Sequence, residues 1–334
     1  MSELRQNIAT KEWVIIATER ARRPEDFAPA RRDKSESSRD VFSPHCPFCP
    51  GNENLSPEEI TTVNDSDGRW LVRVVANKYP ALARQGTLDY HEEHSRRWMN
   101  GVGIHDVIID AREHNLTTAF FEREQMVRVL VAYRTRYLAA VEDDRVELVT
   151  LFKNHGAGAG TSLEHPHSQM IASPIVPAHI RDRIAQAMHY YDDHRECVFC
   201  RMLEDERRSG DRIVHESEHF TAFVLYAALS PFHIWALPKR HVSTFPELSP
   251  DEILDLAGLI QTILLKINIG LSDPDYNYVI RSLPGAPHTN AFFHCYMSII
   301  PRVTMSAGFE LGSGMYINTA LPEKSADFLR NIKI

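Results

Sequence analysis

The chain has 334 residues, 43% of them hydrophobic and 25% charged, with a net charge of -8. That composition belongs to a soluble globular protein with room for one large domain or two ordinary ones, and it excludes extended disorder. The negative balance argues against general binding to nucleic acid or a membrane surface, both of which call for a positive field, but it permits small anionic substrates wherever arginines gather. The opening MSELRQNIATKEWVIIATER carries charges throughout and lacks an apolar run of signal-peptide length. No later segment reaches about 18 uninterrupted apolar residues, so a cytoplasmic location is expected.

In chain order, a Ser- and Arg-rich stretch over 29–43 reads as a surface loop. Cys46 and Cys49 follow in PHCPFCPG. The runs WLVRVVAN, HDVIID, RVELVTLFKN and SQMIASPI are β-rich and partly alternating, which predicts strands. Between the second and third of these, Met126, Val129, Leu130, Tyr133, Tyr137, Leu138 and Val141 recur at helical spacing and predict a helix over 121–143 with one apolar face. A second Cys-x-x-Cys, Cys197 and Cys200, lies in RECVFCRM. The runs FTAFVLYA, HIWALP, YNYVIR and FFHCYMSIIPR predict further strands. Ser249, Pro250 and Glu252 form a capping box with proline at the first helical position, opening a helix to about Leu271. Cys295 is the one unpaired cysteine and is expected to be buried. The order predicts an α+β fold rather than alternating βαβ units.

The chain also repeats itself. Residues 105–126 resemble residues 232–253, each a strand, a short polar turn, a histidine and a helix start. His114 precedes His165 by 51 residues, His241 precedes His294 by 53, and each pair follows a Cys-x-x-Cys. Two tandem units result, 1–178 and 179–334, each an antiparallel sheet with a long helix. Each unit offers two thiolates and two imidazoles, the ligand set of a closed tetrahedral zinc site. Cys46, Cys49, His114 and His165 form one set, and Cys197, Cys200, His241 and His294 the other. His233 is the main rival to His241, while His45, His105, His155 and His288 lack counterparts in the other unit.

The stretch NHGAGAGTSLEHPHSQ concentrates the chemistry. Asn154 and the glycines at 156, 158 and 160 allow a sharp turn with free N–H groups, Ser162 adds a hydroxyl, and Gln169 reaches the same place from the next strand. The two-residue period of a strand sends His165 and His167 to one face. If His165 closes the metal site, His167 is held beside it as a neutral imidazole, suited to attack phosphorus; the alternative is a hydrogen-bonding residue behind the ligands. His167 aligns with Tyr296, so the second unit has no counterpart to this nucleophile.

These residues resemble the galactose-1-phosphate uridylyltransferase branch of the histidine-triad superfamily, over nearly the whole chain. ATKEWVIIATERARRP, VANKYPAL and NHGAGAGTSLEHPHSQ carry the likeness. The resemblance implies two histidine-triad-like halves and ping-pong nucleotidyl transfer, with His167 as the covalent carrier. It implies that Gln169 stabilises the phosphoryl oxygens, Gly160 and Ser162 cradle them, and Asn77 and Asn154 contact the nucleoside. Arg20 and Arg23 would meet substrate phosphate, in that family across a homodimer interface. Gly308, Phe309 and Glu310 match the sugar-binding segment. Two departures concern specificity: Ser168 stands where the best-known uridylyltransferases have glycine, and Tyr316 where a hexose-selecting glutamine is expected. The glycine-rich AGFELGSGMYIN looks more like the branch with ADP-glucose phosphorylase and adenylylsulfate:phosphate adenylyltransferase.

The expected partners are therefore a nucleoside-diphosphate sugar or related nucleotide and a phosphate acceptor. UDP-glucose with galactose 1-phosphate stands first; ADP-glucose or adenylylsulfate with phosphate is the alternative. A histidine-triad hydrolase is disfavoured because Gln169, which cannot protonate a leaving group, takes the place of a third alternating histidine. A non-catalytic zinc adaptor would show basic, aromatic faces beside the cysteines, whereas DDHRECVFCRMLEDERRSGD is mixed in sign.

Overall fold

The computed structural model describes residues 1–18, 23–27, 40–285 and 290–334. Arg20 and most of the polar stretch over 29–43 lie outside the described residues. The first unit supplies β1 (Glu3–Gln6), β2 (Trp13–Ile16), β3 (Glu59–Asn64), β4 (Trp70–Ala76), a β5 (Tyr90–Glu93) and β6 (Arg96–Met99) hairpin, β7 (Ile104–Ile109), α1 (Arg123–Val141), β8 (Leu148–His155) and β9 (His167–Ser173). The rest of the chain supplies α2 (Ala178–His194), α3 (Val198–Ser209), β10 (Ile213–Glu216), β11 (Phe220–Val224), β12 (Ile234–Pro238), α4 (Pro250–Leu271), β13 (Tyr276–Arg281), β14 (Tyr296–Pro301), α5 (Gly308–Ser313), β15 (Tyr316–Asn318) and α6 (Pro322–Asn331).

Ten of these strands make one antiparallel sheet in the order β10-β11-β12-β14-β13-β8-β9-β7-β4-β3. Read inward from either edge, the two units give the same sequence of strands. They meet where β8 pairs with β13 in the register Asn154↔Asn277. The two sheets expected from the repeat are thus joined edge to edge, which removes an open edge from each. At the ends of the chain, β15 runs parallel to β2 with Tyr316 opposite Val14, so the C-terminal segment is tied to the N-terminal hairpin.

Helices α1 and α4 pack against each other and against their own strands on one face of the sheet. Helix α4 is long and apolar enough to cross a membrane. Instead it is the central core helix, with Ile260, Ile263, Leu264 and Ile267 buried to 1% exposure or less. Its start is set by the expected box: Glu252 N–H donates to Ser249 Oγ at 3.2 Å, and Ser249 N–H to Glu252 Oε2 at 2.7 Å. Cross-strand partners share a face, so the register Ile109↔His167 and Val107↔Gln169 puts four side chains on the face away from α1. The alternate positions, Ser168 and Met170, face the helix layer.

Replacing Ser249 with alanine is expected to cost about 1 kcal/mol, and Ile263→Ala about 2–5 kcal/mol, both read from urea midpoints. A wild-type midpoint for Ser249→Ala would show that the box does not stabilise α4.

Candidate active site and metal centres

The tight turn carrying Cys46 and Cys49 is held by Asn52, whose Nδ2 donates to the carbonyls of Ser43 and Cys46. Beneath it the buried Arg73 of β4 donates to Pro47 O at 3.2 Å and Ser56 Oγ at 3.0 Å. The turn is thereby docked on the sheet beside His165. The donor atoms of Cys46, Cys49, His114 and His165 all lie within 4.8 Å of one another. Cys49 Sγ is 3.5 Å from His114 Nδ1 and 3.6 Å from His165 Nδ1. A tetrahedral zinc ion with its usual bond lengths would set such a sulfur–nitrogen edge at about 3.6 Å.

The second set, Cys197, Cys200, His241 and His294, is gathered in the same way. Cys200 Sγ lies 3.1 Å and 3.3 Å from Nδ1 of His241 and His294. The hydrogen bond from Cys200, reinforced by both imidazoles, lowers the pKa of the Cys197 thiol, while the same hydrogen bond raises that of Cys200, so the pair favours one thiolate beside one thiol. Both sets fit a metal ion.

Backbone carbonyls decide what each histidine can do. His165 Nε2 sits 2.9 Å from Ala111 O, and His241 Nε2 2.7 Å from Asn290 O. A carbonyl only accepts, so in each ring Nε2 carries the proton and the Nδ1 lone pair faces the sulfurs. For His167 the assignment is reversed. Its Nδ1 lies 2.9 Å from His165 O, so Nδ1 carries the proton and Nε2 presents a bare lone pair. Burial lowers the pKa of His167, assisted by the Lys153 charge, which keeps the ring neutral and nucleophilic. The edge of Phe48 packs on it at 5.3 Å.

Behind His167 lies a buried polar network that composition did not reveal. Lys153 Nζ donates to Asp110 Oδ2 at 2.6 Å and to His167 O at 3.0 Å, with both side chains at most 2% exposed. Ser168 Oγ donates to the same Asp110 oxygen at 2.7 Å and accepts from Tyr133, which also pairs with Tyr278. Ser168 therefore has a structural reason: its hydroxyl links β9 to α1 and to the buried acid. Lys153 is visible in the sequence as a charge inside the β8 run, and Asp110 as the acid that closes the run HDVIID just after β7.

His167 and Gln169 open onto a cavity of about 580 Å³ lined by Phe48, Asn77, Tyr79 and Ser162 among others. The glycine turn serves its geometry in a different way from the one expected. Gly156 and Gly160 have φ of 83° and 90°, and a Cβ on Gly156 would lie 1.9 Å from Asp275 Oδ1. The loop amides are engaged: Gly158 N–H donates to Asp275 Oδ2 at 2.6 Å, Ala159 to Gly156 O, Gly160 to Ala157 O and Thr161 to Gly156 O. Ser162 and Leu163 are the residues that follow this turn into the cavity lining. Asn154 bonds Asn277 at the sheet junction and lines a separate, adjoining hollow with Asp273 and Asp275.

Arg23 is exposed, and its N–H donates to Asp26. Gly308, Phe309 and Glu310 open α5, where Glu310 accepts from Ala307 N–H at 2.9 Å. Glu310 and Tyr316 line a different cavity, of about 520 Å³, together with Arg302 and His233. That cavity shares no lining residue with the one at His167. His233 is not in the ligand set; its Nε2 bonds Ser298 Oγ at 2.8 Å. Where the first unit has His167, the second has Tyr296, bonded to Arg183 at 2.8 Å.

Fold and site together define a duplicated α+β transferase in which one half carries a carbonyl-held histidine beside a Cys2His2 cluster. The chain belongs to the galactose-1-phosphate uridyl transferase family: the model of its N-terminal domain matches residues 1–177 and that of its C-terminal domain residues 183–332. It is an enzyme of the nucleotidyltransferase type. ADP-glucose phosphorylase of Arabidopsis thaliana is 35% identical over 99% of this chain and 93% of its own. The galactose-1-phosphate uridylyltransferase of Thermotoga maritima is 29% identical over 100% and 99%. Among solved structures, the Arabidopsis ADP-glucose phosphorylase with bound ADP-glucose superposes with a TM-score of 0.83 at 31% identity, covering 100% of this chain and 99% of that one.

Cys46→Ser and Cys197→Ser are each expected to lose one equivalent of bound metal per chain and keep the other, measured by elemental analysis; unchanged content in either variant would reject that site. His233, buried and facing the charges of Arg183 and Arg281, has its pKa lowered from 6.5 to about 3 by burial first and the arginines second. The unfolded chain binds that proton below pH 6.5 and the folded chain does not, so the associated stability is complete above 6.5 and is lost as pH falls. His233→Gln is expected to flatten the pH dependence of unfolding free energy between 6.5 and 5 by up to about 1.4 kcal/mol per pH unit. Identical slopes would contradict this.

Proposed function

We propose that this enzyme transfers a nucleotidyl group from a nucleoside-diphosphate sugar to a phosphate acceptor through a covalent nucleotidyl-His167. The observation that carries the reading is the Nδ1 hydrogen bond of His167 to His165 O, which leaves Nε2 as a lone pair in the cavity. Nε2 attacks the α-phosphorus; the N–P bond forms, and the P–O bond to the sugar phosphate breaks with its electron pair on that oxygen. A phosphate oxygen of the acceptor then attacks the same phosphorus, the N–P bond breaks, and the imidazole returns unchanged. The proton stays on Nδ1 throughout, donated in a hydrogen bond to His165 O. The leaving group is a phosphate that needs no proton, which accords with Gln169 rather than an acid at that position. Gln169, Ser162 and Asn77 would contact the phosphoryl and nucleoside parts, and the cavity position of all three supports this.

For the donor, the 35% identity with ADP-glucose phosphorylase supports ADP-glucose with inorganic phosphate as acceptor. The full-length likeness to the Thermotoga enzyme supports UDP-glucose with galactose 1-phosphate. Glu310 lines a separate cavity, and neither Gly308 nor Phe309 lines the one at His167, so their part in sugar binding is best met by a homodimer in which one copy completes the site of the other, with Arg20 and Arg23 on the substrate phosphate. Zinc is the metal that best suits the Cys2His2 sets, with structural roles in two halves over 1–178 and 179–334. A cytoplasmic setting suits free thiols and nucleotide-sugar substrates.

Incubation with α-labelled ADP-glucose, UDP-glucose or adenylylsulfate is expected to leave acid-labile label on the wild-type protein, chased by the matching acceptor. His167→Ala and His167→Gly should retain none and lose turnover by at least about 10³-fold. Equal label on either variant would reject His167 as the carrier, and the donor that labels decides between the two substrate pairs.

A further inference from the structure

His105, a rival ligand that neither metal set uses, stands between the loop after β4 and the side chain of Gln169. Its Nδ1 lies 3.0 Å from the backbone nitrogen of Ala81, and its Nε2 lies 2.8 Å from Gln169 Oε1. A backbone N–H only donates, so Nδ1 must be the bare nitrogen and Nε2 must carry the ring proton. An imidazolium would set an N–H against the Ala81 N–H, and the other neutral tautomer would do the same. That Nε2–H therefore donates to Gln169 Oε1. The two ends of an amide differ only in which one donates, so with Oε1 taken, the Gln169 NH2 is turned away from His105.

We propose that His105 is a positioning residue that locks the Gln169 amide with its NH2 toward the cavity, where it donates to the anionic oxygens of the group carried by His167. This deepens the reading under Proposed function and rests on it. The neighbouring amide is set by the same logic. Asn77 Oδ1 accepts from Tyr79 N–H at 2.8 Å, and Asn77 Nδ2 is 3.1 Å from the protonated His105 Nε2, so its hydrogens must also find an acceptor elsewhere. The Ala81 N–H thus orients the Gln169 amide through the His105 ring, while the Tyr79 N–H orients that of Asn77.

The repeat supports the assignment. Val107 of β7 pairs with Gln169, and Trp235 of β12 pairs with Ser298. Two residues before these stand His105 and His233, and each sends Nε2 to its partner at 2.8 Å. In the second unit, whose strand has Tyr296 in place of His167, His233 Nδ1 has no hydrogen-bond partner among the described residues. The Ala81 contact that fixes the tautomer is present in the unit that holds His167.

Without the lock, Gln169 is free to turn its carbonyl toward an anion, which repels it. His105→Phe is expected to slow nucleotidylation of His167 by about 10-fold to 10²-fold, less than or equal to the loss from removing an oxyanion donor outright. His105→Gln, whose amide again offers one acceptor and one donor, is expected to restore the rate to within about threefold. In a Gln169→Ala background, His105→Phe should cost less than about twofold more, because nothing remains to orient. Independent effects of the two substitutions, or a wild-type rate for His105→Phe with its metal content intact, would overturn the proposal. Nitrogen NMR of ¹⁵N-histidine-labelled protein supplies a measurement separate from turnover, with His105 expected as the neutral Nε2–H form. An Nδ1–H or doubly protonated ring would overturn the proposal even if labelling succeeds; a wild type that no donor labels would instead refute the nucleotidyl reading, with the tautomer still decided.

Discussion

A backbone carbonyl accepts hydrogen bonds and never donates them, and the division of labour in His-Pro-His depends on this. His165 gives its Nε2 proton to Ala111 O and turns Nδ1 to the sulfurs, while His167 gives its Nδ1 proton to His165 O and turns Nε2 to the cavity. The two bonds form a chain from the end of β7 through His165, a member of the Cys2His2 set, to His167. Any movement of the Cys2His2 cluster is passed to the carbonyl that sets the His167 tautomer. The cluster in this sense takes part in setting the geometry of the His167 ring without touching it.

The opposite face of the same strand is equally constrained. Lys153, Asp110 and Ser168 form a buried charged network against α1, and Lys153 reaches round to the carbonyl of His167 itself. Burying an ion pair is seldom favourable for stability alone, because desolvation offsets much of the attraction. Here each charge is also held by hydrogen bonds, and the result is a peptide group pinned from both sides. The glycine turn adds a third restraint, since Asp275 from the other unit accepts its Gly158 N–H. The junction of β8 with β13 is thus where the second unit supports the chemistry of the first.

Much of this was legible beforehand. The strands β4, β7, β8, β9, β11, β12, β13 and β14, the helix beginning after Ser249 and the gathering of the two Cys2His2 sets follow from period and spacing, which are local properties. In contrast, β1, β2, β3, β5, β6, β10 and β15 lie outside the runs that predict strands, and His165 precedes β9 rather than lying in it. The glycine turn shows the limit: its residues signal conformational freedom, but the use of their N–H groups depended on Asp275, more than a hundred residues away. Likewise, Asn154 and Gln169 are both polar residues near the motif, yet only Gln169 faces the cavity, because β8 pairs with β13 and directs Asn154 to Asn277. His105 carries no local signal of its partner, and its counterpart His233 makes the same strand-to-strand bond rather than joining the Cys2His2 set.

By itself, the amino-acid sequence determined a duplicated α+β chain, two Cys2His2 sets and a single nucleophile candidate, since these are encoded in alternation, helical spacing and a repeat that residue order preserves. Only the tertiary structure decided that the two units share one sheet, that Glu310 and Tyr316 line a cavity apart from His167, and which nitrogen is free in His105, His165, His167 and His241. The last depends on which carbonyl or amide lies within about 3 Å of a ring edge. Those partners come from segments brought together by packing, and no local pattern records them.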